Sequence, residues 1–444
     1  MQETQQIIPV ERLPVGVQLS APIYTGDDVL LLGAGTRITS QFLESLAERG
    51  IKEVSIASDD LAPARKANKG PRDHGEKRQS NGWAQSATPL LGFLKDCREK
   101  SYSPDHQKKV SLALDATGNN VSDIKLSTRV GKSIDTQPLI EGLQDFVDAF
   151  ITDSDQTMSA VRDAASSVTN SEDFREIQRM IELATLSMSV ATRMEFDGKA
   201  VLQVGLTALL SDVGRQLVGL PHVAEILHMD EADRWDYCKF PELGANSIEQ
   251  LPGVHSRVVE GVRHAYEQFD GYGFPSGLRG QRIHPYARII STCRIYTALI
   301  SDKRHWGFHP HHAIAYLLNQ ATMGHFDPKV VKGIFASTCL FPIGCRVQLA
   351  DGRLATVKRR GEDVMYALTV ETDEGQWVKC SKQESDPQPS AAQILKVSYD
   401  GNHRCRSLPK EWLASHTWNW FSSSQQEAIV SAYRETPSVI RGAG

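Results

Sequence analysis

Apolar residues recur every three or four positions through the middle of the chain. Both LIEGLQDFVDAFI (139–151) and IQRMIELATLSMSVATRM (177–194) keep this spacing, which is typical of helices with one buried face. The segment VLQVGLTALL that follows is almost entirely apolar and predicts a helix buried on all sides. The pattern therefore predicts a mainly α-helical domain over residues 136–340.

Short apolar runs separated by turn signals replace this pattern at both ends. Within residues 1–58, two strand-like runs, a helical stretch and a further strand predict a small α+β module. Within residues 341–400, CRVQLADGRLATVKRR and MYALTVETDEGQWVKC each place a glycine-containing turn, at 351–352 and 374–375, between two strands. The expected fold class is mainly α: a helical domain flanked by a small N-terminal α+β module and a small C-terminal antiparallel β module.

Two further segments differ in composition from the rest of the chain. DDLAPARKANKGPRDHGEKRQS, which starts at Asp59, is rich in proline, glycine and charge, so burial cannot offset the entropy cost of ordering it. We expect residues 59–110 to form a flexible linker. Residues 401–444 include SLPKEWLASHTWNWF and predict a C-terminal helical tail.

The composition is that of a water-soluble globular protein, since 40% of the 444 residues are hydrophobic and 23% are charged. A net charge of -5 gives no general attraction to nucleic acid or to an anionic membrane, so neither is expected as a partner. The chain lacks both a run of about 18 apolar residues and a signal-peptide pattern at its start. The seven cysteines form no CxxC pair, which favours reduced thiols and, with the other features, a cytoplasmic protein.

The segment EQFDGYGFPSGL (267–278) combines acidic residues with glycines and a proline. Such a segment can turn sharply beside a ligand without steric cost. The candidate site residues of this loop are Glu267, Asp270, Gly271, Gly273, Phe274 and Pro275.

This loop resembles the signature of the HD-GYP domain, in which Glu, two residues, Asp-Gly-x-Gly-Tyr-Pro and a later Ala-Arg-Ile follow a pair of histidines. The chain carries Phe274 in place of the tyrosine, and Ala-Arg-Ile stands at 287–289. Upstream, LLSDVGR (209–215) is similar to the family's helix ending His-Asp-x-Gly-Lys, and KFPELG (239–244) is similar to its His-Pro-x-x-Gly. The resemblance covers roughly residues 175–345.

The resemblance implies a helical fold and the hydrolysis of cyclic di-GMP. It also implies a site of two or three iron or manganese ions, held by histidines and carboxylates, in which the metals activate water to attack a phosphodiester.

Most of the positions that would hold these metals carry other residues. The replacements are Ser211 in the His-Asp pair, Phe240 in His-Pro, Ala265 and Tyr266 before the loop, and Arg294 at a late metal-binding aspartate. Only Asp212 remains, and one carboxylate cannot hold two metal ions. We therefore predict no metal cofactor and no assured catalytic residue, with Asp212, Glu267 and Asp270 as vestiges of the site.

Other histidines offer an alternative. His255 and His264 precede the loop, and four histidines lie within 305–312. If one of them reached Asp212, the chain would be an active phosphodiesterase using iron or manganese at a rearranged site. The competing interpretation is that these histidines cap helices or lie on the surface.

Cationic side chains near the loop are the candidates for phosphate recognition. They are Arg215, Arg288, Arg294 and Arg304. Alternatively, these arginines pair with Asp212, Glu267 and Asp270 in an internal network that fills the former metal site.

The favoured function is a non-catalytic bacterial signalling regulator that binds cyclic di-GMP or a partner protein. The alternatives are the active phosphodiesterase and a nucleotide-free adaptor that presents a protein-binding face, because a shared fold does not carry function with it.

Overall fold

The computed structural model describes twelve segments and several single positions of the chain. These are residues 5–10, 21–25, 30–32, 51–57, 82–129, 135–167, 172–218, 231–301, 310–339, 341–361, 368–380 and 394–397, with positions 13, 19, 38, 42, 43 and 46. They divide between two compact units, Met1–Ser80 and Asn81–Gly444.

The first unit contains a small antiparallel sheet. Its strands are β1 (Gln5–Pro9), β2 (Ile23–Thr25), β3 (Leu30–Leu32) and β4 (Glu53–Ala57), in the order β1-β4-β2-β3. Isoleucines 8, 23, 38 and 56 are buried together with Leu46 in its core. Phe42 and Leu43 are helical, so this unit has the α+β character that the sequence predicts.

The second unit is mainly helical, as the apolar spacing predicts. Its described helices are α1 (Gly82–Gln85), α2 (Pro104–Arg129), α3 (Gln137–Thr152), α4 (Ser154–Ser167), α5 (Glu172–Arg193), α6 (Gly198–Leu210), α7 (Arg215–Val218), α8 (Glu231–Tyr237), α9 (Phe240–Ile248), α10 (Ser256–Arg263), α11 (Pro285–Ser301), α12 (Pro310–Thr322) and α13 (Pro328–Thr338). Helices α5 and α6 pack against each other in the centre and share one hydrophobic core with α11.

The start of α6 shows how local sequence sets these helices. The side chain of Asp197 accepts a hydrogen bond from the backbone N–H of Ala200 at 2.8 Å, which satisfies a donor that the first turn leaves free. Nine residues of α6 are buried, because this helix has almost no polar face. Because α6 is buried, the turn at 211–214 that follows it lies inside the helical domain.

The expectation of a linker over residues 59–110 is wrong from Gly82 onward. Helix α1, a 3₁₀ turn (Leu90–Phe93) and the first residues of α2 occupy this part of the segment. Most residues of helix α2 are polar, but Val110, Leu114, Val121 and Ile124 are buried on one face. That face packs against α3 and α5, so the helical domain begins before residue 136. Residues 59–80 lie outside the described residues.

A five-stranded antiparallel sheet follows the helices. Its strands are β5 (Arg346–Leu349), β6 (Leu354–Arg360), β7 (Leu368–Thr372), β8 (Trp377–Cys380) and β9 (Ile394–Val397), in the order β8-β7-β6-β5-β9. The two predicted turns are confirmed, with Gly352 at φ +91° and Gly375 at φ +80°. Both angles lie in the left-handed region that favours glycine.

Two adjacent arginines of β6 join this sheet to the helices. The Arg359 guanidinium is fully buried and donates two hydrogen bonds to the carboxylate of Asp153, at the end of α3. The Arg360 Nε donates to Asp155 Oδ1 at 2.5 Å, at the start of α4. The β module is therefore fixed to the helical domain through charged groups removed from water.

No described helix is both long and apolar enough to cross a membrane. The predicted tail over 401–444 lies outside the described residues.

Candidate functional site

The turn after α6 places Asp212 in the interior of the helical domain. At Gly214 an added Cβ atom would lie 1.9 Å from the carbonyl oxygen of Phe240, so only glycine lets this turn approach α9. The backbone contact brings Phe240 beside the Asp212 turn. The two segments that resemble the family's histidine motifs are thus neighbours in space.

Three side chains surround the Asp212 carboxylate. The hydroxyl of Tyr266 donates a hydrogen bond to Asp212 Oδ1 and accepts one from Arg215 Nη2 at 2.7 Å. The Arg215 Nε and the Arg294 Nη2 each lie 3.7 Å from the same Asp212 Oδ1. Arg294 Nη2 also donates to the hydroxyl of Ser211 at 2.8 Å.

Aromatic rings form the wall of this cluster. The Arg294 guanidinium carbon lies 3.7 Å from the centre of the Tyr266 ring, and that of Arg215 lies 5.0 Å from the centre of the Phe240 ring. The Phe240 and Tyr266 rings meet edge to face at 4.7 Å, and Phe274 stacks on Tyr266 at 5.2 Å. Two of the positions that the resemblance assigns to histidines therefore hold cation–π and aromatic contacts.

Asp212 is ionised in these surroundings. Burial opposes its charge, but the guanidiniums of Arg215 and Arg294 and the hydrogen bond from Tyr266 outweigh burial and hold the pKa of Asp212 below its usual value. Burial raises the pKa of Tyr266, which keeps its hydroxyl proton available for this bond. The positive charges that stabilise the Asp212 carboxylate are therefore those of Arg215 and Arg294.

Glu267 has no arginine among its hydrogen-bond partners in the described structure. Its side chain is fully buried and accepts backbone hydrogen bonds from Ser276 at 2.7 Å and Leu278 at 2.9 Å. Burial raises the pKa of Glu267 despite these bonds. Glu267 therefore organises the loop from within.

Asp270 pairs with a histidine that the sequence did not single out. The Asp270 Oδ2 lies 2.8 Å from His325 Nδ1, and its Oδ1 accepts a hydrogen bond from the backbone of Tyr272 at 3.2 Å. The internal network expected from the sequence therefore holds for Asp212, and its extension to Glu267 and Asp270 is wrong. The reason is that backbone amides and an imidazole already satisfy both carboxylates.

The loop itself is shaped by close approaches. Gly271 has φ +88°, and a Cβ atom at Gly273 would lie 2.2 Å from the backbone nitrogen of Gln268. Phe274 is fully buried and joins the aromatic wall, so it does not face a ligand as the sequence suggested. Pro275 is partly exposed.

Arg288 and Arg294 line one small cleft beside the cluster. Arg288 Nη1 donates to Asp327 Oδ2 at 2.5 Å, and Asp327 also caps the start of α13 through the backbone of Lys329. The cleft is small, with room for about one or two water molecules. The fourth candidate cation, Arg304, lies outside the described residues.

Two of the histidines that could rebuild a metal site, His255 and His264, have other roles in the described structure. His255 caps α10, because its Nδ1 accepts a hydrogen bond from the backbone of Arg257 at 3.1 Å. The Nδ1 of His264 accepts from the backbone of His284 at 3.2 Å. The capping role expected for His255 is thus confirmed, whereas residues 302–309 lie outside the described residues.

HD-domain phosphohydrolases depend on metal ions, and the described residues do not fit such a centre. Within the described ranges, no group of three or more His, Cys, Asp or Glu side chains is arranged to hold an ion. Asp212 is the one ligand position that survives. A metal ion bound there would be repelled by the guanidiniums of Arg215 and Arg294, which lie beside the same carboxylate.

Comparisons with known proteins agree with this architecture. A family profile described as an HD domain matches residues 163–330. A cyclic di-GMP phosphodiesterase of Pseudomonas aeruginosa is 26% identical over 230 residues, which are 52% of this chain and 54% of that protein. A cyclic di-GMP phosphodiesterase response regulator of Xanthomonas campestris pv. campestris is 28% identical over 166 residues, which are 36% of this chain and 41% of that protein. The chain spans about half the length of the curated relatives it matches.

Among solved structures, an HDG"Y"P protein from Bdellovibrio bacteriovorus aligns with a TM-score of 0.47 at 18% identity, over 74% of this chain and 98% of that chain.

The helical fold and the matched profile define an HD-domain protein. Residues 163–330 form an HD domain, and the DGYGFP loop and the relatives place this domain with the HD-GYP proteins. His325 and Asp327 are the site residues that sequence reasoning missed. Nothing in the sequence indicated that Asp327 would bind Arg288.

Proposed function

We propose that this chain is a non-catalytic, metal-free signalling regulator of the HD-GYP family, which works in the cytoplasm by binding cyclic di-GMP or a partner protein. The observation that carries the proposal is the contact of Arg294 with Asp212 and Tyr266. Arg294 stands at the position that the family resemblance assigns to a metal-binding aspartate.

Electrostatics supports a metal-free centre. A guanidinium remains protonated in proteins, so Arg294 and Arg215 keep two positive charges beside the one carboxylate. A divalent ion bound to Asp212 would sit about 2 Å from its oxygen, within a few ångströms of both guanidiniums. The same carboxylate that would attract the ion is already neutralised by the protein.

Cyclic di-GMP is the nucleotide named for the relatives. Arg288 and Arg294 offer guanidinium donors of the kind that phosphate groups accept, and they lie beside the loop that resembles the family signature. These two features support cyclic di-GMP as the small-molecule ligand.

A partner protein remains the second candidate because the cleft is small and Arg215 and Arg294 already contact Asp212. In that case the helical domain is an adaptor, and the arginines are internal stabilisers.

Two assays on the purified full chain test the proposal. We expect no hydrolysis of cyclic di-GMP in added Mn²⁺ or Fe²⁺, and the Asp212→Ala variant should be indistinguishable from the wild type. Turnover that disappears in Asp212→Ala would contradict the non-catalytic proposal. Isothermal titration with cyclic di-GMP then separates the two ligands, since a saturable heat supports nucleotide binding and its absence supports the adaptor.

A further inference from the structure

We propose that the cleft lined by Arg288 and Arg294 is an oxyanion site that takes a single compact phosphate group. The inference deepens the proposed function, because it names the chemical group that this part of the site binds. It rests on the proposed function in one respect, which is that the site stays free of metal.

One face of α11 builds the floor of the cleft. Arg288, Ser291, Thr292 and Ile295 all line it, and their spacing of three, four and seven residues places them on the same side of a helix. Arg294 reaches the cleft from the flank of this face. A rigid, central helix thus holds both guanidiniums.

Each guanidinium has a donor without an acceptor. The Arg288 Nε and the Arg294 Nη1 are buried and have no hydrogen-bond partner among the residues that the structure describes. One other nitrogen of each guanidinium donates a hydrogen bond, from Arg288 Nη1 to Asp327 and from Arg294 Nη2 to Ser211. A buried donor left without a partner is unfavourable, and more so when it is charged, so an acceptor in the cleft would satisfy both donors.

The charge of Arg294 is only partly compensated by the described carboxylates. Its closest one, Asp212, lies at 3.7 Å, which is beyond hydrogen-bond distance, and Arg215 contacts the same oxygen. The hydrogen bond that Arg294 does make goes to the neutral hydroxyl of Ser211. An anion would supply the missing negative charge together with the missing acceptor.

The size of the cleft limits the ligand to a compact group. It has room for only about one or two water molecules, so one small group enters and the remainder of any larger molecule stays outside. The other walls include the apolar side chains of Ala265, Phe269 and Phe326, together with Gln268 and Asp327, whose carboxylate pairs with Arg288. A terminal phosphate meets these conditions, because it protrudes on one bond and has three free oxygens for two guanidiniums.

Titration of the metal-free full chain with inorganic phosphate and with 5′-GMP tests the site directly. Calorimetry at constant ionic strength should show saturable binding of both, with one site per chain. The Arg288→Gln and Arg294→Gln variants should each weaken binding by at least about tenfold. Arg282→Gln is the matched control, since Arg282 is exposed in the 3₁₀ turn (Gly280–Arg282) before α11 and does not line the cleft, and its affinity should stay within about twofold of the wild type.

The proposal is overturned if the folded wild type shows no saturable binding of either probe, or if Arg282→Gln loses as much affinity as the cleft variants. Because Arg294→Gln removes a contact to Asp212, circular dichroism should accompany it, and Arg288→Gln provides the decisive variant if Arg294→Gln unfolds. Bound metal with turnover would instead refute the proposed function. Absent phosphate binding in metal-free, inactive protein would refute only this site.

Discussion

At the scale of single residues, Arg294 changes what the Asp212 carboxylate requires. An isolated buried carboxylate needs a cation or a proton, and here two guanidiniums and a tyrosine hydroxyl satisfy it. The aromatic ring under Arg294 adds a cation–π contact at 3.7 Å. The cluster can therefore be tested as a stabilising unit.

Replacing Arg294 by methionine should lower the free energy of unfolding by about 2–4 kcal/mol, because it removes a mostly buried cation from a carboxylate and from a ring. Urea denaturation measures the loss. Arg263→Met is the matched control, since Arg263 pairs with the exposed Glu260 on α10, and it should change stability by less than about 1 kcal/mol. Equal losses of unfolding free energy in the two variants would show that the contacts of Arg294 stabilise the protein no more than an exposed ion pair does.

His284 predicts a pH dependence. Burial, assisted by His264, lowers the pKa of His284 from 6.5 to about 4. Between these values the unfolded chain binds more protons at this position than the folded chain, so stability falls as the pH drops from 6.5 towards 4.

His284→Asn should reduce this loss between pH 6.5 and pH 4, because asparagine retains an acceptor for the backbone N–H of Tyr286 and does not titrate. Unfolding midpoints measured at several pH values for both proteins give the comparison. If both proteins lose the same stability over this window, His284 is not responsible for it.

At the scale of the elements, the loop at 267–278 depends on glycine where backbone segments meet. A Cβ atom at Gly273 would lie 2.2 Å from Gln268 N and 2.5 Å from Glu267 Cα. Gly273→Ala should therefore cost about 2–4 kcal/mol. Thermal unfolding measures this, with Gly82→Ala as the control, because a Cβ atom there meets nothing within 4 Å. A well-tolerated Gly273→Ala would contradict the close packing of the loop.

The elements that sequence could predict are those with strong periodicity or turn chemistry. The helices α3 and α5 follow from apolar spacing, and the turns at 351–352 and 374–375 follow from glycine. Helix α2 was missed because most of its residues are polar, although Val110, Leu114, Val121 and Ile124 keep a helical spacing. The Asp212 contact with Arg215 and Arg294 was open to prediction because family positions brought these residues together.

At the scale of the whole second unit, charged pairs hold the β module against the helices. Nothing in VKRR distinguishes two buried arginines from an exposed strand end, since their partners Asp153 and Asp155 lie about 200 residues away. This long-range pairing is why the sequence could predict the β module but not its attachment.

Arg359→Met should destabilise the protein by about 3–5 kcal/mol, because it leaves the buried Asp153 carboxylate without its bidentate partner. Lys379→Met is the matched control, since Lys379 and Glu99 form an exposed pair between the same two parts, and it should change stability by less than about 1 kcal/mol. Chemical denaturation compares them. A loss in Arg359→Met no larger than the control would refute this role of Arg359.

The proposal that this HD-GYP protein works without metal is tested most directly by its metal content. Elemental analysis of purified, tag-free full chain, supplied with iron and manganese and then freed of loose ions, should find well below one equivalent of either metal. Two or more equivalents per chain that are lost in Asp212→Ala would contradict the account and place a metal centre where Arg215 and Arg294 now surround the carboxylate.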